Sequence, residues 1–129
     1  MFNYATYTGL PDSLTFEEAN DIYKAICTVE AQNDSDFQEL WRDVVETAAK
    51  YVTDRNHWGF MTSLERADFD HRRTLDHNSY MSTLTALGRY CTQHWTAAWP
   101  EQLGTPEHDR KRIGDFAAYI LLFNSLQSR

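Results

Sequence analysis

The sequence predicts an all-α protein, a bundle of four main helices preceded by an irregular aromatic N-terminal arm. Apolar residues recur at steps of three and four along four segments of helix length. Ser/Thr-x-x-Glu/Gln boxes stand at the start of three of these segments. No strand-like alternation, hairpin dipeptide or internal repeat occurs. We expect one domain, residues 1–129, because this length suits a single hydrophobic core.

The arm covers residues 1–14, and the first helix is predicted near 15–31. The arm holds Phe2, Tyr4 and Tyr7, followed by the turn-forming residues GLPD at 9–12. Thr15 and Glu18 match a capping box, in which each side chain satisfies a free backbone N–H. The inward stripe of this helix consists of Ala19, Ile22, Tyr23 and Ile26.

The second helix is predicted near 35–53, with Ser35 and Gln38 as its capping box. It has the most regular apolar stripe in the chain, which consists of Phe37, Leu40, Trp41, Val44, Val45, Ala48, Tyr51 and Val52. The residues DRNHWG at 54–59 interrupt this stripe. We expect them to form a loop.

The third segment, near 62–95, begins with a capping box of Thr62 and Glu65. Its apolar residues lie on two faces that are rotated by roughly 130° at 100° per residue. Leu64, Ala67, His71 and Leu75 share the first face, and His77, Met81, Leu84, Gly88, Cys91 and Trp95 share the second. Either one long helix changes neighbours midway or the chain kinks near residues 76–79; the absence of proline favours one helix.

The last helix is predicted near 105–127, with Thr105 as its N-cap and Pro106 as its first residue. Its second half is apolar on nearly all sides. Such a helix is either central in the bundle or partly covered by a second copy of the protein. In the second case, Tyr119, Leu122 and Phe123 are the interface residues.

The charge distribution argues against nucleic acid as a partner. The net charge is −7, with eleven acidic and three basic residues in 1–54 and eight acidic and nine basic residues in 55–129. Phosphate contacts need a concentrated basic surface, and the only basic cluster is Arg110-Lys111-Arg112. We expect this cluster to be a solvated helix face, or to face the acidic half of the chain or a partner subunit.

The sequence also predicts a soluble, cytoplasmic protein with no membrane interaction. The longest apolar run, residues 116–123, is far shorter than the roughly 20 residues needed to cross a bilayer. The N-terminus lacks the basic and apolar regions of a secretory signal. Cys27 and Cys91 are too few for a disulfide framework and are expected to be small buried apolar residues.

One row of ionisable residues could carry chemistry. Arg66, Asp70, Arg73 and His77 follow one another at steps of four, three and four, so they share one helix face. If this face is buried, the row could bind an anion or transfer a proton. The alternatives are a solvated charge ladder and a buried network with a purely structural role.

Other kinds of site have less support in the sequence. No metal is predicted, because the five histidines do not match a His-x-x-x-His or Glu-x-x-His pattern. No cofactor is predicted, because glycine-rich phosphate and dinucleotide motifs are absent. Trp58, Trp95 and Trp99 lie in or beside connectors, where they could line a pocket or plug the ends of the bundle.

Two stretches, RTLDHNSYMSTLTALGRY at 73–90 and DRKRIGDFAAYI at 109–120, resemble a small group of bacterial all-helical proteins of unknown function. Together they cover about a quarter of the chain. The resemblance implies a bacterial, cytosolic origin. It implies no activity and transfers no site residue.

Two functional hypotheses follow. The first is a non-enzymatic protein-interaction or regulatory module that binds a protein partner or forms a homodimer; it rests on the apolar last helix, the uneven charge and the absence of a catalytic motif. The second is a small-molecule-binding bundle or minor enzyme built around His77, Arg73 and Asp70. It requires these polar groups to converge on a cavity.

Overall fold

The computed structural model describes residues 13–95, 103–105 and 108–127. Five helices account for most of these residues, and no strand occurs among them. The helices are α1 (Phe16–Ile26), α2 (Val29–Gln32), α3 (Ser35–Trp58), α4 (Ser63–Trp95) and α5 (Arg110–Gln127). The prediction of an all-α bundle with four main helices is confirmed, and α2 is a single additional turn. Most of the predicted arm, residues 1–12, lies outside the described residues.

Helices α3 and α4 form an antiparallel hairpin joined by residues 59–62. At one end of the hairpin the Tyr90 hydroxyl donates to Oδ2 of Asp34 at 2.5 Å. Near its middle the hydroxyls of Thr47 and Thr83 lie 2.8 Å apart. At the other end Trp58 contacts the first turns of α4. The two helices therefore run side by side for nearly the whole length of α3.

Helix α5 packs against this hairpin and against α1. Residues 116–120 of α5 are all buried, and the Tyr80 hydroxyl of α4 donates to the Ile113 carbonyl at 2.8 Å. Phe16 and Tyr23 of α1 contact the ring of Phe123 with centroid distances of 5.4 and 5.1 Å. Helix α5 therefore occupies the central position in the bundle. Its burial explains why its sequence is apolar on nearly all sides.

The helix that the sequence predicted over 15–31 is interrupted between α1 and α2. The capping box of Thr15 and Glu18 is present, as predicted. Helix α1 ends at Ile26 because Thr28 acts as a second N-cap, with its hydroxyl accepting a hydrogen bond from Ala31 N–H at 3.2 Å. The prediction of a continuous first helix is therefore wrong.

Helix α3 begins at Ser35, but its cap differs from the predicted one. Asp34 is the N-cap, and its carboxylate accepts hydrogen bonds from the N–H groups of Asp36 and Phe37 at 2.9 and 3.2 Å. The Gln38 side chain donates instead to the Gln32 carbonyl. A capping box of Ser35 and Gln38 does not form.

The predicted loop at 54–59 is also wrong, because α3 continues to Trp58. Two of the polar residues that interrupt the apolar stripe have charged partners on other helices. Asp54 is 2 % exposed and lies near Arg72 of α4, and Arg55 pairs with Asp115 of α5. Tertiary contacts therefore maintain a helix where the apolar period alone predicts its end.

Helix α4 is a single 33-residue helix, and its predicted capping box of Thr62 and Glu65 is present. Its inward residues include two that the sequence-derived seam omitted, Tyr80 and Leu87, which are fully buried. The first predicted face gains no neighbour among the described residues: Leu64 and Leu75 are 77 % and 52 % exposed. The prediction of one continuous helix is confirmed, but the described residues show no change of neighbours midway along it.

Helix α5 begins at Arg110 and not near Thr105. The Asp109 carbonyl accepts the first helical hydrogen bond, from Ile113 N–H at 2.9 Å. Thr105 lies in a preceding turn, in which its carbonyl accepts from Asp109 N–H at 2.8 Å and its own N–H donates to Oδ2 of Asp109 at 3.0 Å. Gly104 enters this turn with a φ of 84°, which glycine adopts without strain.

Candidate functional site

The predicted row of Arg66, Asp70, Arg73 and His77 lies on the side of α4 that faces α3. Arg66, Arg73 and His77 are half-buried, whereas Asp70 is exposed. The row therefore forms one edge of the helix interface. The hypothesis of a solvated charge ladder therefore fits Asp70 but not the other three residues of the row.

Trp58, at the end of α3, lies against two guanidinium groups of this row. The guanidinium carbon of Arg66 is 5.3 Å from the ring centroid of Trp58, and that of Arg73 is 4.3 Å from it. Arg66 Nε also donates to the Trp58 carbonyl at 3.0 Å. These contacts are cation–π interactions, which orient each guanidinium plane.

Arg73 has donor capacity that its neighbours do not use. Its Nη2 lies 3.4 Å from Oδ1 of the exposed Asp70, a long contact in a solvent-accessible pair. Its Nε is buried and has no hydrogen-bond partner among the described residues. A guanidinium that Trp58 holds in place and that is only partly neutralised is suited to an incoming anion.

His77 is held between α3 and α5. The ring of Tyr51 meets its imidazole edge-on at a centroid distance of 5.0 Å, and Nη2 of Arg110 lies 3.2 Å from its Nδ1. Arginine is always a donor, so Nδ1 accepts this hydrogen bond. The imidazole is then neutral, with its proton on Nε2.

The pKa of His77 is lowered from its ordinary value. Burial is the main cause, because it disfavours the charged imidazolium. The positive charges of Arg110, Arg73 and Arg55 act in the same direction, and a hydrogen bond with Asn78 opposes them. Geometry and electrostatics thus both favour the neutral form of His77.

These groups border a cleft of about 270 Å³ between α3, α4 and α5. The described residues that line it are Tyr51, Arg73, Thr74, His77, Arg110 and Lys111. Three of the six are permanent cations, and none is acidic. The cleft therefore concentrates positive charge on a protein whose net charge is −7.

Buried contacts keep the wall of the cleft in place. Arg55 Nη2 lies 2.7 Å from Oδ1 of Asp115, whose other oxygen accepts from the Ser13 hydroxyl at 2.5 Å. Gly114 permits the close approach of Tyr51, because a Cβ at position 114 would lie 3.1 Å from the Tyr51 hydroxyl. Helix α5 is therefore fixed against the same turn of α3 that carries Tyr51.

A buried carboxyl group lies one helical turn along α3 from Tyr51. Burial is the main cause that raises the pKa of Asp54 to about 7, and the nearby carboxyl group of Asp76 of α4 acts in the same direction. Arg72 Nε lies 4.0 Å from Asp54 and 3.9 Å from Asp76, at the outer edge of the pair. Near neutral pH the Asp54 carboxyl group thus exists in both protonation states.

A second cavity, of about 350 Å³, lies between α4 and the start of α5. Its walls are mainly apolar and include Met81, Leu84, Leu103 and Ile113. The predicted seam of α4 thus lines this cavity, as well as packing the core. Cys91, also on the seam, is buried, and burial raises the pKa of its thiol to about 11, so it is a packing residue and not a nucleophile.

Of the predicted row, Arg73 and His77 line the cleft, whereas Arg66 and Asp70 are not among its lining residues. Trp58 does not line the cleft, but its ring packs against the guanidinium of Arg73. Trp99 and the side chain of Trp95 lie outside what the structure describes. Tyr119 and Phe123 are buried and Leu122 is half-buried. Tyr119 and Phe123 therefore make contacts within the chain, and Leu122 is the most exposed of the three interface candidates.

The sequence missed the α5 contribution to the cleft. The Arg110-Lys111-Arg112 cluster is visible in the sequence, but nothing in its spacing links it to His77, which is 33 positions earlier. Arg112 has a separate role: it donates to the Ser13 carbonyl and pairs with Glu18 of α1 at 2.7 Å. Tyr51 and Thr74 gave no signal, because their residue types are common on helix interfaces.

Other classes of site find no support among the described residues. No group of three or more His, Cys, Asp or Glu side chains there is arranged to hold a metal ion. Cys27 and Cys91 are free thiols. Within the same residues, none of the helices combines the length and apolarity that crossing a membrane requires.

Comparisons with protein-family models, with curated proteins and with solved structures gave no match. The resemblance to bacterial helical proteins stays a prediction. Any function for this chain must accordingly be inferred from the geometry of the cleft itself.

Proposed function

We propose that this protein is a helical binding module for a small polyvalent anion, which it holds in the cleft between α3, α4 and α5. The anion is of the phosphate or polycarboxylate class. The observation that carries the proposal is the convergence of Arg73, Arg110 and Lys111, from two different helices, around a neutral half-buried His77. This is the small-molecule-binding alternative of the two hypotheses from the sequence.

Each group has a role that its contacts support. Arg73, oriented by Trp58, offers a guanidinium fork that matches two oxygens of an anion. Arg110 is positioned by its hydrogen bond to His77. Because Nδ1 of His77 accepts from Arg110, Nε2 carries the proton, so His77 is a hydrogen-bond donor to an anion and not a general base.

Binding and not catalysis is proposed because a reacting pair is missing. A nucleophilic mechanism needs a thiol, hydroxyl or amine beside an available base. The base of this cleft, His77, uses its unprotonated nitrogen for Arg110, and no cysteine or carboxylate lines the described part of the cleft. The module would therefore respond to an anion without converting it.

Isothermal titration calorimetry with pyrophosphate and with citrate tests this proposal. Arg73→Gln and Arg110→Gln should each weaken binding by roughly 10- to 100-fold, because a charge-assisted hydrogen bond contributes about 1.5–3 kcal/mol. Arg42→Gln is the matched control: it removes the same charge from an exposed site on α3, more than two turns from Tyr51.

The control variant should bind like the wild-type protein. Affinity should also fall as salt is added, because the cleft is open to solvent and its charges are screened. The proposal fails if neither anion binds the wild-type protein, or if Arg42→Gln weakens binding as much as the two cleft variants do.

A further inference from the structure

The outer side of α4 carries an exposed stripe with a symmetric spacing. Leu64, Asp68, His71 and Leu75 are all exposed, and the two leucines are exposed by 77 % and 52 %. Phe60, which is 75 % exposed, lies in the connector that precedes the helix. Phe60, Leu64 and Leu75 are three of the four large hydrophobic residues that are most exposed among the described ones; the fourth is Phe16.

The stripe faces away from the rest of the bundle. At 100° per residue, Leu64, Asp68, His71 and Leu75 fall within roughly 60° of one another around α4. Arg66, Arg73 and Tyr80, which contact α3 or α5, lie about 180° away from them. Packing among the described residues therefore does not explain two leucines and a nearby phenylalanine at these positions.

The spacing of the stripe is the same in both directions along the helix. The steps from Leu64 to Asp68, His71 and Leu75 are four, three and four residues. A two-fold axis perpendicular to α4, midway between Asp68 and His71, brings each leucine onto the other leucine of a second helix. The same axis places each Asp68 opposite His71 of that helix, so an acidic group meets a basic one at both central positions.

We propose that the stripe is a homodimer interface, in which α4 of a second copy of this chain packs antiparallel against it. Steps of three and four residues are those of helices that pack side by side in coiled-coil fashion. The interface is isologous, so a single set of four residues supplies both halves. Asp68 and His71 fix the antiparallel orientation, because a parallel pair in register would place like groups together.

The flanking charges support the same arrangement. Glu65 and Arg72 lie on one side of the stripe, and Arg72 is 73 % exposed. In the antiparallel pair Arg72 lies near Glu65 of the second copy, which adds a further opposite-charge contact at the rim. Local complementarity of this kind counters the repulsion between two chains that each carry a net charge of −7.

Sedimentation equilibrium over a range of protein concentrations tests the proposal. The wild-type chain should dimerise with a dissociation constant in the micromolar range, since the stripe is small compared with a permanent interface. Leu64→Asp and Leu75→Asp should each give monomers of unchanged helix content by circular dichroism, because both side chains are exposed in the monomer. Leu122→Asp, on α5, is the comparison variant and should remain dimeric.

A charge-exchange experiment tests the pairing of Asp68 with His71. Asp68→Lys alone and His71→Asp alone should each weaken self-association by about tenfold or more, because the first removes the acidic partner of His71 and the second places two carboxylates in opposition. An equimolar mixture of the two variants should form heterodimers, in which Lys at 68 meets Asp at 71 and His71 meets Asp68.

Three results would overturn the proposal. They are a chain that is monomeric at all concentrations, a dimer that survives Leu64→Asp, and a mixture of the charge variants that associates no better than either variant alone. Anion binding to the cleft does not depend on this surface, so loss of the dimer and loss of anion binding are separately measurable.

Discussion

Arg110 donates a hydrogen bond to Nδ1 of His77 at 3.2 Å, and this contact joins the first turn of α5 to the middle of α4. It links the basic cluster of the last helix to His77, the residue of α4 at which the charged row ends and the apolar face begins. Because an arginine side chain is always a donor, the contact specifies the neutral form of His77. It is therefore both a packing contact and a determinant of the charge in the cleft.

The first prediction concerns the titration of His77. Its pKa should lie below 6.5 and should rise in Arg110→Gln, since this change removes a nearby positive charge. Nuclear magnetic resonance of the imidazole protons gives both values, and Arg42→Gln should leave the pKa of His77 as it is. A His77 that titrates at the same pH in the wild-type protein and in Arg110→Gln would contradict this account of its environment.

The second prediction concerns stability and pH at Asp54. The pKa of Asp54 is about 7 in the folded protein and about 3.9 in an unfolded chain. The folded state therefore binds a proton that the unfolded state releases, and the contribution of this group to stability is full below about pH 4 and is lost as the pH rises to about 7. Above that pH the ionised, buried carboxylate destabilises the fold by a few kcal/mol.

Asp54→Asn removes this dependence. We expect the free energy of unfolding, from urea denaturation, to be higher in Asp54→Asn than in the wild-type protein at pH 8, with the difference shrinking toward pH 4. Asp43→Asn, at an exposed position of α3, is the control and should follow the wild-type curve. An Asp54→Asn protein that is equally destabilised at pH 5 and at pH 8 would show that the carboxyl group does not titrate as described.

The third prediction concerns the buried ion pair between α3 and α5. Asp115 is 1 % exposed and neutralises Arg55 at 2.7 Å. Asp115→Asn should lower the free energy of unfolding by about 3 kcal/mol, because it leaves a largely buried guanidinium without its counter-charge. Glu18→Gln, which breaks the more exposed pair with Arg112 and keeps a residue type suited to the capping box, should have a much smaller effect. Equal losses from the two changes would contradict the greater weight given to the buried pair.

The fourth prediction separates the position of Arg73 from its charge. Trp58→Leu retains every cation of the cleft but removes the ring that lies 4.3 Å from the Arg73 guanidinium. Anion affinity should fall by roughly 3- to 10-fold, in keeping with a cation–π contact of about 0.5–1.5 kcal/mol. Trp58→Phe should recover part of the loss in the same calorimetric titration. Unchanged affinity in Trp58→Leu would mean that Arg73 needs no support from α3.

The sequence predicted the helices better than their ends. Apolar periodicity located four segments, because burying one face of each helix is the dominant requirement of a bundle. The predicted end of the first helix failed because a nearby residue, Thr28, competes as the cap of a new turn. The helix end predicted after residue 53 failed for a different reason: Asp54 and Arg55 have partners on α4 and α5, and sequence alone does not reveal such partners.

Of the four residues in the predicted row, two line the cleft, Arg73 and His77. Arg66, Asp70, Arg73 and His77 share a face because of local helical spacing, which a sequence displays directly. Two further lining residues, Arg110 and Lys111, come from α5. Their position depends on how that helix crosses the hairpin. Crossing geometry is set by packing of buried groups such as Tyr80 against Ile113, and it leaves no periodic trace in the sequence.

The most direct test of the central claim is a titration of the wild-type protein with pyrophosphate, followed through the imidazole resonances of His77. An anion bound beside Arg73 and Arg110 should shift these resonances and raise the pKa of His77, because a negative charge stabilises the imidazolium. Resonances and a pKa that stay unchanged at saturating pyrophosphate would show that the cleft does not hold the anion.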